Sequence, residues 1–189
     1  CQESTNTYNG MYPADYFMGP SLWSSDPDIY GTSNPEAVAY LTDLFGFYTD
    51  LGSHLDMQHE TPLCMGIAWE KDNVYWVFDG HHSAIVRNDF QEDHGPGYDD
   101  HADGLIHSYV EGLILREPDV PSHMVFDHDS SLLYFADTGN NRIAVLDTTT
   151  GTRGADNPDT KMEPYPEYYS VDGAELTTLI KGADYGIEM

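Results

Sequence analysis

The sequence predicts a mainly β protein: four-stranded antiparallel sheets in repeat, preceded by one amphipathic helix. Three observations predict it. From about residue 63 the chain repeats itself, each unit holds four short β-rich runs between turn residues, and the first third carries a single helical pattern.

The chain has 189 residues with 33 acidic and 7 basic ones, a formal net charge of −26. Asp outnumbers Glu by 22 to 11, and there are three Lys. Such a surface repels phosphate, which excludes non-specific nucleic-acid and anionic-lipid partners. With 40% hydrophobic and 13% aromatic residues, the chain has the material for a packed core rather than a disordered coil. An Asp-rich, Lys-poor surface suits high salt, where repulsion is screened, and it also suits collection of Ca²⁺.

Residues 1–20 read as a polar tether. A chain that opens on Cys1 followed by Gln2-Glu3-Ser4-Thr5 resembles a processed bacterial lipoprotein with a lipidated N-terminal cysteine. That resemblance implies an extracytoplasmic protein, secreted or held at the bacterial surface or outer membrane, with membrane contact only through the lipid. Cys64 is then a lone buried thiol, and a Cys1–Cys64 disulfide is the alternative. Residues 21–62 form a helical N-terminal segment. Asn34 is a good N-cap, Pro35 a good first residue and Glu36 a first-turn acid. Val38, Leu41, Leu44, Phe45, Tyr48 and Leu51 follow at helical spacing until Gly52, which predicts a helix over about 35–51.

Residues 63–120 and 121–182 are the two repeats. Gly66-Ile67-Ala68-Trp69 aligns with His123-Met124-Val125-Phe126. Val74-Tyr75-Trp76-Val77-Phe78-Asp79 aligns with Leu132-Leu133-Tyr134-Phe135-Ala136-Asp137. Ala84-Ile85-Val86 aligns with Arg142-Ile143-Ala144, and Tyr109-Val110-Glu111-Gly112 with Ser170-Val171-Asp172-Gly173. The offsets are 57, 58, 58 and 61 residues. One four-stranded sheet per repeat is the blade of a β-propeller. Ala136-Asp137-Thr138-Gly139-Asn140-Asn141-Arg142-Ile143 resembles the core motif of NHL-type propeller repeats. Polar inserts at 91–104 and 148–167 lengthen the two blades and read as surface loops. A propeller closes with about four to eight blades. Two therefore imply a fragment whose remaining blades come from the same gene product or another chain, or self-assembly into a ring or filament. Residues 183–189 read as a tail or the start of a further blade.

Three places supply ligand chemistry. His81 and His82 lie between the second and third strands of the first blade, and His123 stands at the entrance to an innermost strand, so the three are candidates for a metal on the propeller axis. The NHL-type resemblance extends to peptidyl-hydroxyglycine amidating lyases, which implies a His-bound zinc. Here, however, Ser122 separates Pro121 from His123, and the first blade has Gly66 at that position. The second place is the first insert, where His94, Asp99, Asp100, His101 and Asp103 gather among Gly and Pro. Asp99, His101 and Asp103 alternate like the start of an EF-hand loop, without its helices. The third is His54-Leu55-Asp56-Met57-Gln58-His59-Glu60, running on to Cys64-Met65, whose donors suit copper but whose spacing fits no motif. No Gly-x-Ser-x-Gly elbow and no phosphate loop occurs. The reading is an extracytoplasmic metal-binding β-propeller module, with Ca²⁺ or Zn²⁺ before Cu²⁺, acting in binding, scaffolding or assembly. A metal-dependent lyase or hydrolase, and a subunit of a larger ring or filament, are the alternatives.

Overall fold

A computed structural model describes residues 19–30, 33–48, 50, 52, 54–58, 60, 61, 63–97, 102–157 and 165–186. The described residues are mainly β with one α-helix. A short antiparallel pair, β1 (Ser21–Trp23) and β2 (His54–Met57), flanks α1 (Pro35–Phe45). The first repeat supplies β3 (Cys64–Lys71), β4 (Val74–Asp79), β5 (Ala84–Asp89) and β6 (Leu105–Tyr109), an antiparallel meander. The second supplies β7 (Met124–Asp127), β8 (Leu132–Asp137) and β9 (Arg142–Asp147), again antiparallel neighbours. Then come β10 (Thr152–Asp156), β11 (Glu167–Asp172) and β12 (Leu176–Lys181).

Pairing registers reproduce the repeat. Ala68 faces Trp76 and Val125 faces Tyr134; Asp79 faces Ala84 and Asp137 faces Arg142. The step from an offset of 57 to one of 58 falls in the hairpin turn, which is one residue longer between β7 and β8 once the bulge near Glu70 is counted.

The fourth strands depart from the alignment. β12 completes the second sheet beside β9, with Leu176 opposite Leu146. Ser170-Val171-Asp172 belongs instead to β11, which runs parallel to β6 with Ser170 opposite Ser108 and Val171 opposite Tyr109. The two look-alike segments are spatial neighbours in one sheet. β10 pairs with β11, so part of the 148–167 insert widens the first sheet to six strands instead of wandering as a loop. The physical reason is edge cover: β6 would otherwise present unpaired amides and carbonyls. Tyr165 and Tyr168, from the same excursion, pack on Ala84, Val86 and Ile106.

The main core lies between the two sheets. Trp76, Phe78, Ile85 and Tyr109 of the first meet Met124, Leu133, Phe135 and Leu146 of the second. Phe78 and Phe135 meet edge to face at 6.1 Å, and Trp76 stacks on Phe126 at 6.3 Å. The sheets approach so closely at Gly66 that a Cβ there would collide with the carbonyl of Ser122.

The helix begins as its sequence predicts: Asn34 Oδ1 accepts from the amides of Glu36 and Ala37. It ends earlier, at Gly46, which is left-handed (φ 75°) and donates its amide to Thr42 O. Of the expected apolar stripe, Leu41 is buried, together with Ala37, while Leu44, Phe45 and Tyr48 stand exposed. Leu51 lies outside the described residues.

Candidate metal centre

The site forms where β2 meets the start of the first insert. β2 is short and its polar residues point inward: His54, Asp56 and the following Gln58 alternate and are all buried. Segment 94–97 lies along this strand. The amide of His94 donates to Leu55 O at 3.0 Å and that of Gly97 to His54 O at 2.8 Å. Gly97 is left-handed (φ 77°), and a Cβ on it would meet Gly52 O. Gln58 ties the strand to the first sheet by donating Nε2 to Asp89 O at 2.8 Å.

This backbone arrangement brings together Asp56, His94 and Asp103. One ligand atom from each lies within 4.8 Å of the other two. His94 Nε2 is 2.9 Å from Asp103 Oδ1 and 3.8 Å from Asp56 Oδ2. Asp56 is buried, with Oδ1 accepting the Met57 amide at 2.6 Å, while His94 and Asp103 are partly exposed. Neighbouring ligand atoms around Zn²⁺ or Ca²⁺ stand roughly 3.3–3.7 Å apart, given bonds of about 2.0–2.6 Å. Two carboxylates and one imidazole at these separations can therefore hold a divalent cation. Among the described residues this is the one such group of three or more His, Cys, Asp or Glu side chains.

The sequence-predicted ligands divide accordingly. His94 and Asp103 enter the group. Asp99, Asp100 and His101 lie outside the described residues. His81, His82 and His123 join no group of this kind. The His81 and His82 rings meet edge to face at 4.7 Å, and His123 stands exposed before β7. His82 Nδ1 is bonded to the buried Asp79 at 2.7 Å, a contact that raises the imidazole pKa above its ordinary value. Sequence reasoning placed Asp56 in a separate cluster. The available signal was the alternation of His54, Asp56 and Gln58, a strand with a polar inner face.

A second polar row crosses the six-stranded sheet. His107 stacks on Tyr169 at 4.2 Å and bonds Glu167 through Nε2 at 2.8 Å. Burial holds its pKa below the ordinary value. Arg153 covers the far side of Tyr169 at 4.1 Å, and Arg87, opposite His107, makes a paired contact with Glu70 at 2.8 and 2.9 Å. These contacts knit β3, β5, β6, β10 and β11 together.

Cys64, buried at the start of β3, is disulfide-bonded, which corrects the expectation of a lone thiol. The sequence has one other cysteine, Cys1, which lies outside the described residues. Among the described residues no helix is long and apolar enough to cross a membrane. Comparison with protein-family models, curated proteins and solved structures gives no match to this chain.

Proposed function

We propose that this chain is an extracytoplasmic, metal-binding module of β-propeller type that works in binding or assembly. The convergence of Asp56, His94 and Asp103 carries the reading. The ion clamps the 91–104 insert onto β2 and so fixes a long acidic loop against the first sheet. Asp56 supplies a buried anionic ligand, Asp103 a partly exposed one, and His94 gives up its hydrogen bond to Asp103 to coordinate the ion. Ligands must be deprotonated to bind, so protons compete with the ion for the site. A disulfide on Cys64 supports an oxidising, extracytoplasmic setting. The net charge of −26 supports cationic ligands and work at high salt.

The rival reading, a metal-dependent lyase or hydrolase with its ion near His81, His82 and His123, has less behind it. His82 is engaged with Asp79, and the three do not gather around one point.

Equilibrium dialysis against Ca²⁺ and against Zn²⁺ tests the proposal. It expects one equivalent of one of these ions, lost in His94→Ala and in Asp56→Asn with the circular-dichroism spectrum kept. Equal binding by the parent and both variants, or no binding of either ion, overturns it.

A further inference from the structure

The second sheet has one covered face and one open face. Met124, Leu133, Phe135, Ala144 and Leu146 face the first sheet and are buried. On the other face, Val125, Tyr134, Val145 and Thr177 form one cross-strand row, in which Val145 is buried by its neighbours, and Ala136, Ile143 and Ile180 form the next. The repeat says what this face is. Its offsets map Ala68, Trp76, Phe78 and Ile85 onto Val125, Tyr134, Ala136 and Ile143. In the first sheet these positions are 7, 1, 0 and 0% exposed, because the second sheet lies on them. In the second sheet Val125 is 66% exposed and the other three are part-exposed. Ile180, opposite Ile143 as Tyr109 is opposite Ile85, is 40% exposed against 8%.

We infer that this face docks a further four-stranded sheet of the same repeat, carried by a partner protein. The inference rests on reading the two sheets as blades and is independent of the metal. The occupant follows from continuing the interface already formed between the sheets, since the open face is the repeat counterpart of the covered one. A second copy of this chain offers only part of a matching face, Ile67 and Trp69 at the β3 edge of its first sheet, 46 and 52% exposed. The rest of that face is closed: Val77 and Val86 are 0 and 1% exposed, and Tyr165 and Tyr168 pack on Val86 and its neighbours Ala84 and Ile106. The counterpart face of its second sheet is already buried. Pairing two open faces would also bring together two chains of charge −26. The partner's docking face carries apolar side chains in the pattern of Leu133, Phe135, Ala144 and Leu146.

Photo-crosslinking in the cells that make the protein tests this, with a benzophenone amino acid at position 125 or, as a control, at exposed position 152, and the joined peptide sequenced. The expected result is a crosslink from 125 at least tenfold above that from 152. It joins a different protein that carries the strand–Asp–turn–strand repeat. The crosslink persists in His94→Ala, so loss of the metal reading leaves it standing. Crosslinking to this same chain, to a protein without the repeat, or only at the level of the control overturns the inference.

Discussion

Asp79 and Asp137 are one residue of the repeat used twice, 58 positions apart, each closing the second strand of its sheet with a buried carboxylate. Asp79 Oδ1 accepts the amides of His81 and His82 at 2.8 and 2.9 Å, and Oδ2 meets His82 Nδ1. Asp137 accepts the amide of Leu115 at 2.8 Å, both of its oxygens take Asn140 Nδ2, and Oδ2 takes Arg142 Nε at 2.6 Å. His82 and Asn140 are repeat counterparts, and each is followed by a left-handed residue, Ser83 (φ 56°) and Asn141 (φ 49°). The carboxylate therefore organises the turn into the third strand, and this explains why Asp recurs there.

Removing one partner of a buried ion pair leaves the other uncompensated, at a cost of about 3–5 kcal/mol. Asp137→Ala is expected to fall in that range by urea unfolding. It strands Arg142, whose Nη1 and Nη2 hold Thr178 and Leu113 O. Asp79→Ala is expected to cost less, since its His82 partner is 42% exposed. A loss below about 1 kcal/mol at Asp137 contradicts a structural role.

Two histidines give opposite pH dependences. The hydrogen bond that His82 donates to Asp79 raises the His82 pKa. Its contribution is full below the unfolded value of about 6.5 and is lost as the pH rises through the folded value. Burial lowers the His107 pKa. The unfolded state then binds the proton more readily, so stability declines as the pH drops from about 6.5 through the folded value. Melting temperature against pH should lose its alkaline-side decline in His82→Asn and its corresponding acid-side decline in His107→Gln. Unchanged profiles count against these environments.

Gly66 is required by close approach, not by backbone angle. Gly66→Ala pushes a methyl into the Ser122 carbonyl, part of the link in which the Ser122 amide donates to Met65 O at 2.9 Å. Overpacking of this kind costs about 1–3 kcal/mol. Gly46→Ala meets nothing within 4 Å and costs only the strain of a left-handed residue, about 1 kcal/mol. Chemical unfolding of the two variants should rank them in that order.

Packing across the interface is asymmetric. Phe135→Ala opens a cavity against Phe78 and is expected to cost about 3–5 kcal/mol. Val125→Ala, on the open face, should stay within about 0.5 kcal/mol of the parent in the isolated chain. Similar costs at both positions contradict the assignment of faces.

The repeat was legible because the second and third strands of each unit carry short apolar runs in matching register, and both turns keep their Asp. The fourth strand was not. β12 is largely exposed and its apolar pattern is weak, whereas Ser170-Val171-Asp172-Gly173 mimics the end of β6 closely enough to be mistaken for its counterpart. The helix start was written in Asn34 and Pro35. Its stop was misplaced because Gly52 and Gly46 are both plausible terminators and the apolar spacing runs past the nearer one. Within the site, His94 and Asp103 stood out as a mixed acid–imidazole loop. Asp56 is 38 residues from His94 in sequence and joins it only when the loop folds back along β2. His82 looked like a ligand because the sequence cannot show that its ring turns back onto Asp79.

The most direct measurement of the central claim is anomalous X-ray scattering from crystals of the full chain equilibrated with Zn²⁺, or with Ca²⁺ if dialysis selects that ion. The account predicts one strong peak, about 2.0–2.6 Å from a carboxylate oxygen of Asp56, a carboxylate oxygen of Asp103 and Nε2 of His94. A peak held by other residues, with His94 still bonded to Asp103, would contradict it.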